Sequence, residues 1–125
     1  MNKVKIYAAL EYLLKYLEHH KKAMIIQYKG IVLKNVIILD HYISYNEDIL
    51  FLFLEKEHEM EINISSFYKI KFDTMTFDAE NILEIQRMLK KMNQEKYWNV
   101  YFLDCDDKFV LEFISIADRK IKIFK

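Results

Sequence analysis

The spacing of apolar residues near the N-terminus predicts an amphipathic helix over about residues 3–21. Its apolar stripe has the period of one helix face and consists of Ile6, Leu10, Leu13 and Leu17, with Leu14 beside them. Tyr12 and Tyr16 lie four residues apart on a second face, so their side chains are neighbours on the helix surface.

An alternating pattern after residue 23 predicts a series of β-strands. The runs "AMIIQYK" and "IVLKNVIIL" flank Gly30, the single glycine of the chain, which predicts a tight turn. Asn35 interrupts the second run and predicts a bulge. After a turn at "YNED" (45–48), the run "ILFLFL" (49–54) is apolar on both faces and therefore predicts a central strand.

From Met60 to Phe72, the even positions are mostly apolar and the odd positions mostly polar. This parity predicts one long bent strand, or two strands joined without a change of face. The pleat then directs Glu59 and Glu61 to the solvent side of the sheet.

A second helix is predicted from Asp78, which is a good N-cap residue. The buried stripe of this helix is predicted to be Ile82, Ile85, Leu89 and Met92. The remaining C-terminal stretch predicts a three-stranded meander with turns at "DCDD" and "ADR".

Together these elements predict a single α+β domain over residues 1–125, in the order helix, four or five strands, helix, three strands. The antiparallel sheet is expected to be strongly curved or closed into a small barrel, with the two helices packed outside. The stretch from "IIQYKGIVLKNVIILD" to "EINISSFYKI" resembles in outline the bent-strand half of Sm-like or SH3-like barrels, with Asn35 where an Sm core has its second glycine. This resemblance implies a small barrel that binds single-stranded RNA.

Composition excludes several kinds of site. With one glycine and no proline, the chain cannot build a P-loop, a dinucleotide fingerprint or a G-x-S-x-G elbow. The longest apolar run has six residues, far fewer than the ~20 that span a bilayer, so no membrane association is expected. A single cysteine, Cys105, favours a reducing compartment and hence the cytoplasm. The excess of lysine over arginine, 17 to 2, favours an AT-rich bacterial or phage genome.

No catalytic residue, metal site or cofactor is predicted, and the protein is not expected to be an enzyme. No two of the four histidines have the i, i+4 spacing of helical metal ligands. Asp40 and His41 come closest to general-base chemistry, but neighbours on a regular strand point to opposite faces. A small enzyme or metabolite sensor built around Asp40, His41 and Tyr42 is therefore a third hypothesis.

The charge is distributed unevenly although the formal net charge is zero. Lysines, arginines and acids sum to +5 over residues 1–34, −6 over residues 35–68 and +1 over residues 69–125. The oppositely charged segments either neutralise each other within the fold or mark interaction surfaces.

The leading functional hypothesis is a non-enzymatic, cytoplasmic protein-binding module, such as an immunity protein, a phage-encoded inhibitor or a subunit of a larger complex. Interfaces favour tyrosine, and complementary charge accelerates association. The predicted partner-binding residues are Tyr12, Tyr16, Glu55, Glu57, Glu59 and Glu61. The alternative is the RNA-binding barrel, which would use lysines together with exposed aromatic residues, namely Tyr12, Tyr16, Phe67, Tyr97 and Tyr101. A homodimer is compatible with each hypothesis.

Overall fold

The computed structural model describes residues 3–78, 81–94 and 98–116. Within these residues the chain forms two α-helices and nine β-strands. The helices are α1 (Lys3–His20) and α2 (Ile82–Gln94). The strands are β1 (Met24–Tyr28), β2 (Ile31–Val36), β3 (Ile38–Ser44), β4 (Ile49–Leu54), β5 (His58–Asn63), β6 (Phe67–Phe72), β7 (Met75–Asp78), β8 (Asn99–Asp104) and β9 (Phe109–Ser115).

The described strands make two antiparallel sheets. One has six strands in the order β2-β1-β9-β8-β6-β7, and the other is the meander β3-β4-β5. The chain therefore leaves the six-stranded sheet after β2, builds the three-stranded sheet, and returns at β6. The α+β class is confirmed, whereas the described strands form two separate antiparallel sheets and neither one strongly curved sheet nor a closed barrel.

The strand order differs from the prediction because two apolar stretches are each divided between the two sheets. The run "IVLKNVIIL" forms all of β2 and the start of β3, and the stretch from Met60 to Phe72 is divided between β5 and β6. Seven strands thus precede α2, instead of four or five. After α2, β8 and β9 form the predicted hairpin, while the "ADR" turn and the third strand of the tail lie outside the described residues.

Several local predictions are confirmed. Helix α1 ends within one residue of its predicted end, and β4 is the central strand of its sheet. Gly30 has a φ of 81° in the two-residue turn between β1 and β2, a conformation that glycine adopts without strain. Asn35 has a φ of 56°, and the register between β1 and β2 shifts beside it, as in a bulge.

The predicted parity between Met60 and Phe72 breaks at the connection between the two sheets. Phe67 is 1% exposed, whereas its even-numbered neighbours Ser66 and Tyr68 are exposed. The backbone turns there, with the Phe67 amide donating to the Ile64 carbonyl at 3.2 Å, and the register with β8 shifts after Phe67. A turn and a register shift change which parity faces the core.

The prediction that Asp78 caps the second helix is wrong, because Asp78 is the last residue of β7. Asn81 is the cap instead, since its side-chain oxygen accepts a hydrogen bond of 3.2 Å from the Glu84 amide. The predicted stripe is confirmed at Ile85, Leu89 and Met92, which are buried, whereas Ile82 is half-buried.

The core is one continuous cluster shared by both helices and both sheets. Helix α1 contributes seven buried residues, including Leu10 and Leu13 at 0% exposure. It packs against β3, on the face of the three-stranded sheet where Leu50 and Leu52 are buried. This helix-facing side is called the inner face below, and the opposite side the outer face. Neither described helix combines the length and apolar character needed to cross a membrane.

Candidate functional site

The outer face of the three-stranded sheet carries aromatic residues because its central strand is apolar on both sides. Along β4, Leu50, Leu52 and Leu54 are buried, while Phe51 and Phe53 alternate with them and are half-buried on the outer face. The pleat alone fixes this alternation.

Strand register places acidic residues beside these aromatic rings. Phe51 pairs with Glu61 on β5 and with Tyr42 on β3, while Phe53 pairs with Glu59. Directly opposite residues of antiparallel strands share one face. The Tyr42 side chain is 61% exposed, and its ring centroid lies 6.0 Å from that of Phe51. These five residues, Tyr42, Phe51, Phe53, Glu59 and Glu61, are called the outer-face patch.

The acidic charge of this region remains largely uncompensated within the described part of the chain. There, the only pair between a lysine of residues 3–34 and an acid of residues 35–68 joins Lys3 Nζ to Asp48 Oδ1 at 2.6 Å. Glu59 and Glu61 are exposed and form no ion pair with any described residue. Neutralisation between the two oppositely charged segments is thus confined to one lysine–carboxylate contact in these residues.

The predicted partner-binding residues fall on two different elements. Tyr12 is 39% exposed on α1, which covers the inner face. Tyr16 is half-buried, and its hydroxyl donates to the Leu89 carbonyl of α2 at 3.2 Å, so it connects the two helices. Burial also raises the pKa of Tyr16.

The four predicted glutamates follow the hairpin between β4 and β5. Glu55 is half-buried at the end of β4, and Glu57 is exposed in the turn with a φ of 60°. Only Glu59 and Glu61 pair across the sheet with aromatic residues. The structure therefore brings two of the six predicted residues into the outer-face patch, and it adds aromatic residues that sequence reasoning did not include.

A second cluster surrounds His41 on the inner face. The register between β3 and β4 shifts between Ile38 and Asp40, which makes Leu39 the extra residue of a bulge. The bulge changes the parity of the strand, so His41 pairs with the buried Leu52 and its side chain is only 6% exposed. Asp40 accepts a hydrogen bond of 2.8 Å from the His41 amide.

Helix α1 supplies two carboxylates to this histidine. Nδ1 of His41 forms a hydrogen bond with Oε1 of Glu18, and Nε2 lies 3.5 Å from Oε1 of Glu11. Donor atoms of Glu18, Asp40 and His41 all lie within 4.8 Å of one another, so these three residues could hold a metal ion. Sequence reasoning singled out Asp40 and His41 but missed both glutamates. The available signal was their spacing of seven residues, two helical turns along one side of α1.

A third polar cluster joins the start of α1 to the turn before β4. Asp48 accepts hydrogen bonds from Lys3 and from the Tyr7 hydroxyl, the latter at 2.5 Å. These two hydrogen bonds lower the pKa of Asp48, while burial and then the contact with Asp48 raise the pKa of Tyr7. The neighbouring cavity, lined partly by Lys3 and Tyr7, has a volume of about 160 Å³. This is below the roughly 300 Å³ of small ligand pockets, so the cluster is best explained as a structural contact.

The "DCDD" turn contains an exposed cysteine, Cys105, and its aspartates bond within the turn and to Lys69 of β6, whose Nζ donates to Asp107 Oδ1 at 3.0 Å. Asp104 Oδ1 accepts from the amides of Asp106 and Lys108 at 3.0 and 3.1 Å. The role of Asp104 is therefore explained by the hydrogen bonds that stabilise the turn.

Comparison with known proteins gives no relative: no family model, no curated protein and no solved structure matches this chain.

Proposed function

We propose that this protein is a non-enzymatic, cytoplasmic protein-binding module, and that its partner binds to the outer-face patch. The supporting observation is the register of the three-stranded sheet, which sets the exposed Tyr42 beside Phe51 and Glu61 in one row. Aromatic residues beside charged ones are typical of interface centres with polar rims.

The chemistry of the patch specifies the partner. Glu59 and Glu61 repel phosphates, which argues against nucleic acid at this face, and they attract lysine or arginine. The half-buried Phe51 and Phe53 offer apolar contact area between the two flanking strands. The expected partner is therefore a protein with an apolar protrusion flanked by basic residues. An immunity-type or inhibitor role and assembly as a complex subunit are both consistent with this description.

Two substitutions test the patch without disturbing the core. Tyr42→Ala removes the most exposed ring of the patch, and Glu61→Lys reverses one charge of its rim. A central aromatic anchor contributes about 2 kcal/mol or more at such interfaces, so Tyr42→Ala is expected to weaken binding roughly 30-fold. Glu61→Lys is expected mainly to slow association and to reduce its dependence on salt.

Matched controls lie on the six-stranded sheet. Phe109→Ala removes a ring that is 52% exposed on β9, and Asp106→Lys reverses an exposed charge in the turn between β8 and β9. Affinity capture from cells that encode the protein is compared across the four variants, and the recovered proteins are then titrated in purified form. A protein that binds the patch should be captured normally by both control variants, and in smaller amounts by Tyr42→Ala and Glu61→Lys. If every recovered protein is captured equally well by the two patch variants, the proposal fails.

The RNA-binding alternative is favoured by a different surface. Lysine amines lie over tyrosine rings on the six-stranded sheet, with Lys69 Nζ 4.8 Å from the Tyr68 ring centroid and Lys71 Nζ 5.7 Å from that of Tyr101. Phe67, which sequence analysis counted among the exposed aromatics, is buried and cannot stack bases. The alternative expects binding to a single-stranded RNA that weakens steeply with salt and is lost in Lys71→Glu. Anisotropy titration with a fluorescent oligonucleotide tests it, and no binding at low salt rules it out.

A further inference from the structure

The imidazole of His41 has a carboxylate at each ring nitrogen. Glu18 contacts Nδ1, and Glu11 lies 3.5 Å from Nε2. A neutral imidazole has a single N–H, so its other nitrogen presents a lone pair to a carboxylate. Two acceptors facing each other repel unless a cation lies between them. A divalent cation beside one of the two nitrogens would remove this repulsion.

The surroundings of Nδ1 provide further donor atoms. Asp40 pairs with the outer-face Phe53, but its carboxylate turns back to accept from the His41 amide at 2.8 Å. Donor atoms of Glu18, Asp40 and His41 are thereby all within 4.8 Å of one another. A tetrahedral zinc ion with ligands about 2.1 Å away separates its donors by about 3.4 Å. Because the Asp40 side chain is exposed, rotation about its χ angles can close the remaining difference.

The charge of the cluster also favours a cation. Over residues 3–78, 81–94 and 98–116, neither Glu18 nor Asp40 forms an ion pair with a lysine or an arginine. Glu11, by contrast, has Lys15 Nζ at 3.8 Å. Glu18 and Asp40 thus have no lysine or arginine partner among the described residues, and a divalent ion would supply the missing positive charge.

We propose that Glu18, Asp40 and His41 form a binding site for a divalent transition-metal ion. The ligands are Nδ1 of His41 and one carboxylate oxygen each from Glu18 and Asp40. Glu11 accepts a hydrogen bond from the Nε2–H group, which fixes the tautomer that leaves the Nδ1 lone pair free for the metal.

The three ligand atoms of the site favour some metal ions over others. One imidazole nitrogen and two carboxylate oxygens suit zinc, manganese or iron(II), whereas calcium and magnesium prefer oxygen donors alone. Three protein ligands leave at least one coordination position for water or for a group of another molecule. The metal site does not depend on the protein-binding proposal, because its ligands meet within one chain and its test uses no partner.

Zinc binding to the full chain, after treatment with a chelator, tests the proposal. Isothermal titration with zinc alone is expected to show one ion per chain, with a rise in the thermal unfolding temperature. Cobalt(II) in place of zinc is expected to give the visible absorption bands of a low-coordinate nitrogen–oxygen site. Asp40→Asn keeps an oxygen for the His41 amide but removes the charge, and it should weaken zinc binding by at least 100-fold. Glu11→Gln should weaken it by roughly 10- to 100-fold, as loss of a carboxylate behind a histidine ligand commonly does.

Control variants separate this site from surface histidines. His19 and His58 are exposed, and His19 directly follows Glu18 in α1, so His19→Ala and His58→Ala must leave zinc binding unchanged. The proposal is overturned if either of these variants abolishes binding, or if Asp40→Asn and Glu18→Gln bind zinc as the native sequence does. It is also overturned if no zinc binds.

Discussion

The two faces of the three-stranded sheet use carboxylates in different ways. On the inner face, Glu11 and Glu18 both lie against His41. On the outer face, Glu59 and Glu61 form no ion pair with a described residue. A helix covers the inner face, and a charge buried there must be compensated within the fold. Charges that face solvent need no such partner, and so they remain available to another molecule.

The largest expected difference between the two faces is in the stability that their side-chain packing contributes. Leu52→Ala, on the inner face, should lower the free energy of unfolding by about 2–5 kcal/mol, because it leaves a cavity beneath α1. Tyr42→Ala, on the neighbouring strand of the outer face, should cost less than about 1 kcal/mol. Urea denaturation measures both. Equal losses would mean that the outer face is packed like the core.

The next effect concerns the compensated charges. His41→Ala should cost about 1–3 kcal/mol, because the Glu18 side chain, 18% exposed, loses its partner. His58→Ala, in the exposed start of β5, should change stability by less than about 0.5 kcal/mol. Adding Glu18→Gln to His41→Ala should recover part of the loss, since it removes the unpaired charge. A cost for His41→Ala no greater than that for His58→Ala would show that the inner cluster does not stabilise the fold.

The pH dependence of stability should differ in sign between two other carboxyls. Burial raises the pKa of Glu112, which is 7% exposed, while a hydrogen bond with Tyr101 partly offsets the rise. A raised folded pKa makes the protein less stable as the pH increases from the ordinary value of 4.5 through the folded value. Glu112→Gln should flatten this decline in urea titrations at successive pH values. If stability declined equally with pH in Glu112→Gln and in the native sequence, the raised pKa of Glu112 would be contradicted.

For Asp48, the pH dependence of stability should have the opposite sign. Hydrogen bonds from Lys3 and Tyr7 lower its pKa, so its contribution to stability is present above the ordinary value of 3.8 and is lost as the pH falls through the folded value. Asp48→Asn should therefore destabilise the protein at neutral pH and have little effect at the acidic end. A constant difference between Asp48→Asn and the native sequence at all pH values would contradict this assignment.

The smallest expected effect lies on the outer face. Glu59→Gln and Glu61→Gln should each change the free energy of unfolding by less than about 0.5 kcal/mol, because exposed, unpaired side chains contribute little to stability. Urea denaturation of both variants checks this. A loss greater than about 1 kcal/mol would mean that these carboxylates have a partner within the fold, and the contrast between the two faces would fail.

Sequence reasoning succeeded where short-range geometry decides the outcome. The stripe of α1, the turn at Gly30 and the bulge at Asn35 each depend on a few consecutive residues, and all three were predicted. It failed at Phe67 and Asp78, where a turn between sheets and an additional strand changed the local pattern. Neither change leaves a distinct mark in a period of 2 or 3.6 residues.

The amino-acid sequence by itself determined the class of elements, the central position of β4 and the outward direction of Glu59 and Glu61. Helical period and strand pleat are properties of the local backbone, so the order of apolar and polar residues is sufficient to define them. Only the tertiary structure decided that Glu18 meets His41, 23 residues away, and that a single extra residue at Leu39 turns this histidine inward. Such contacts depend on how α1 packs against the sheet, which no pattern within either element specifies.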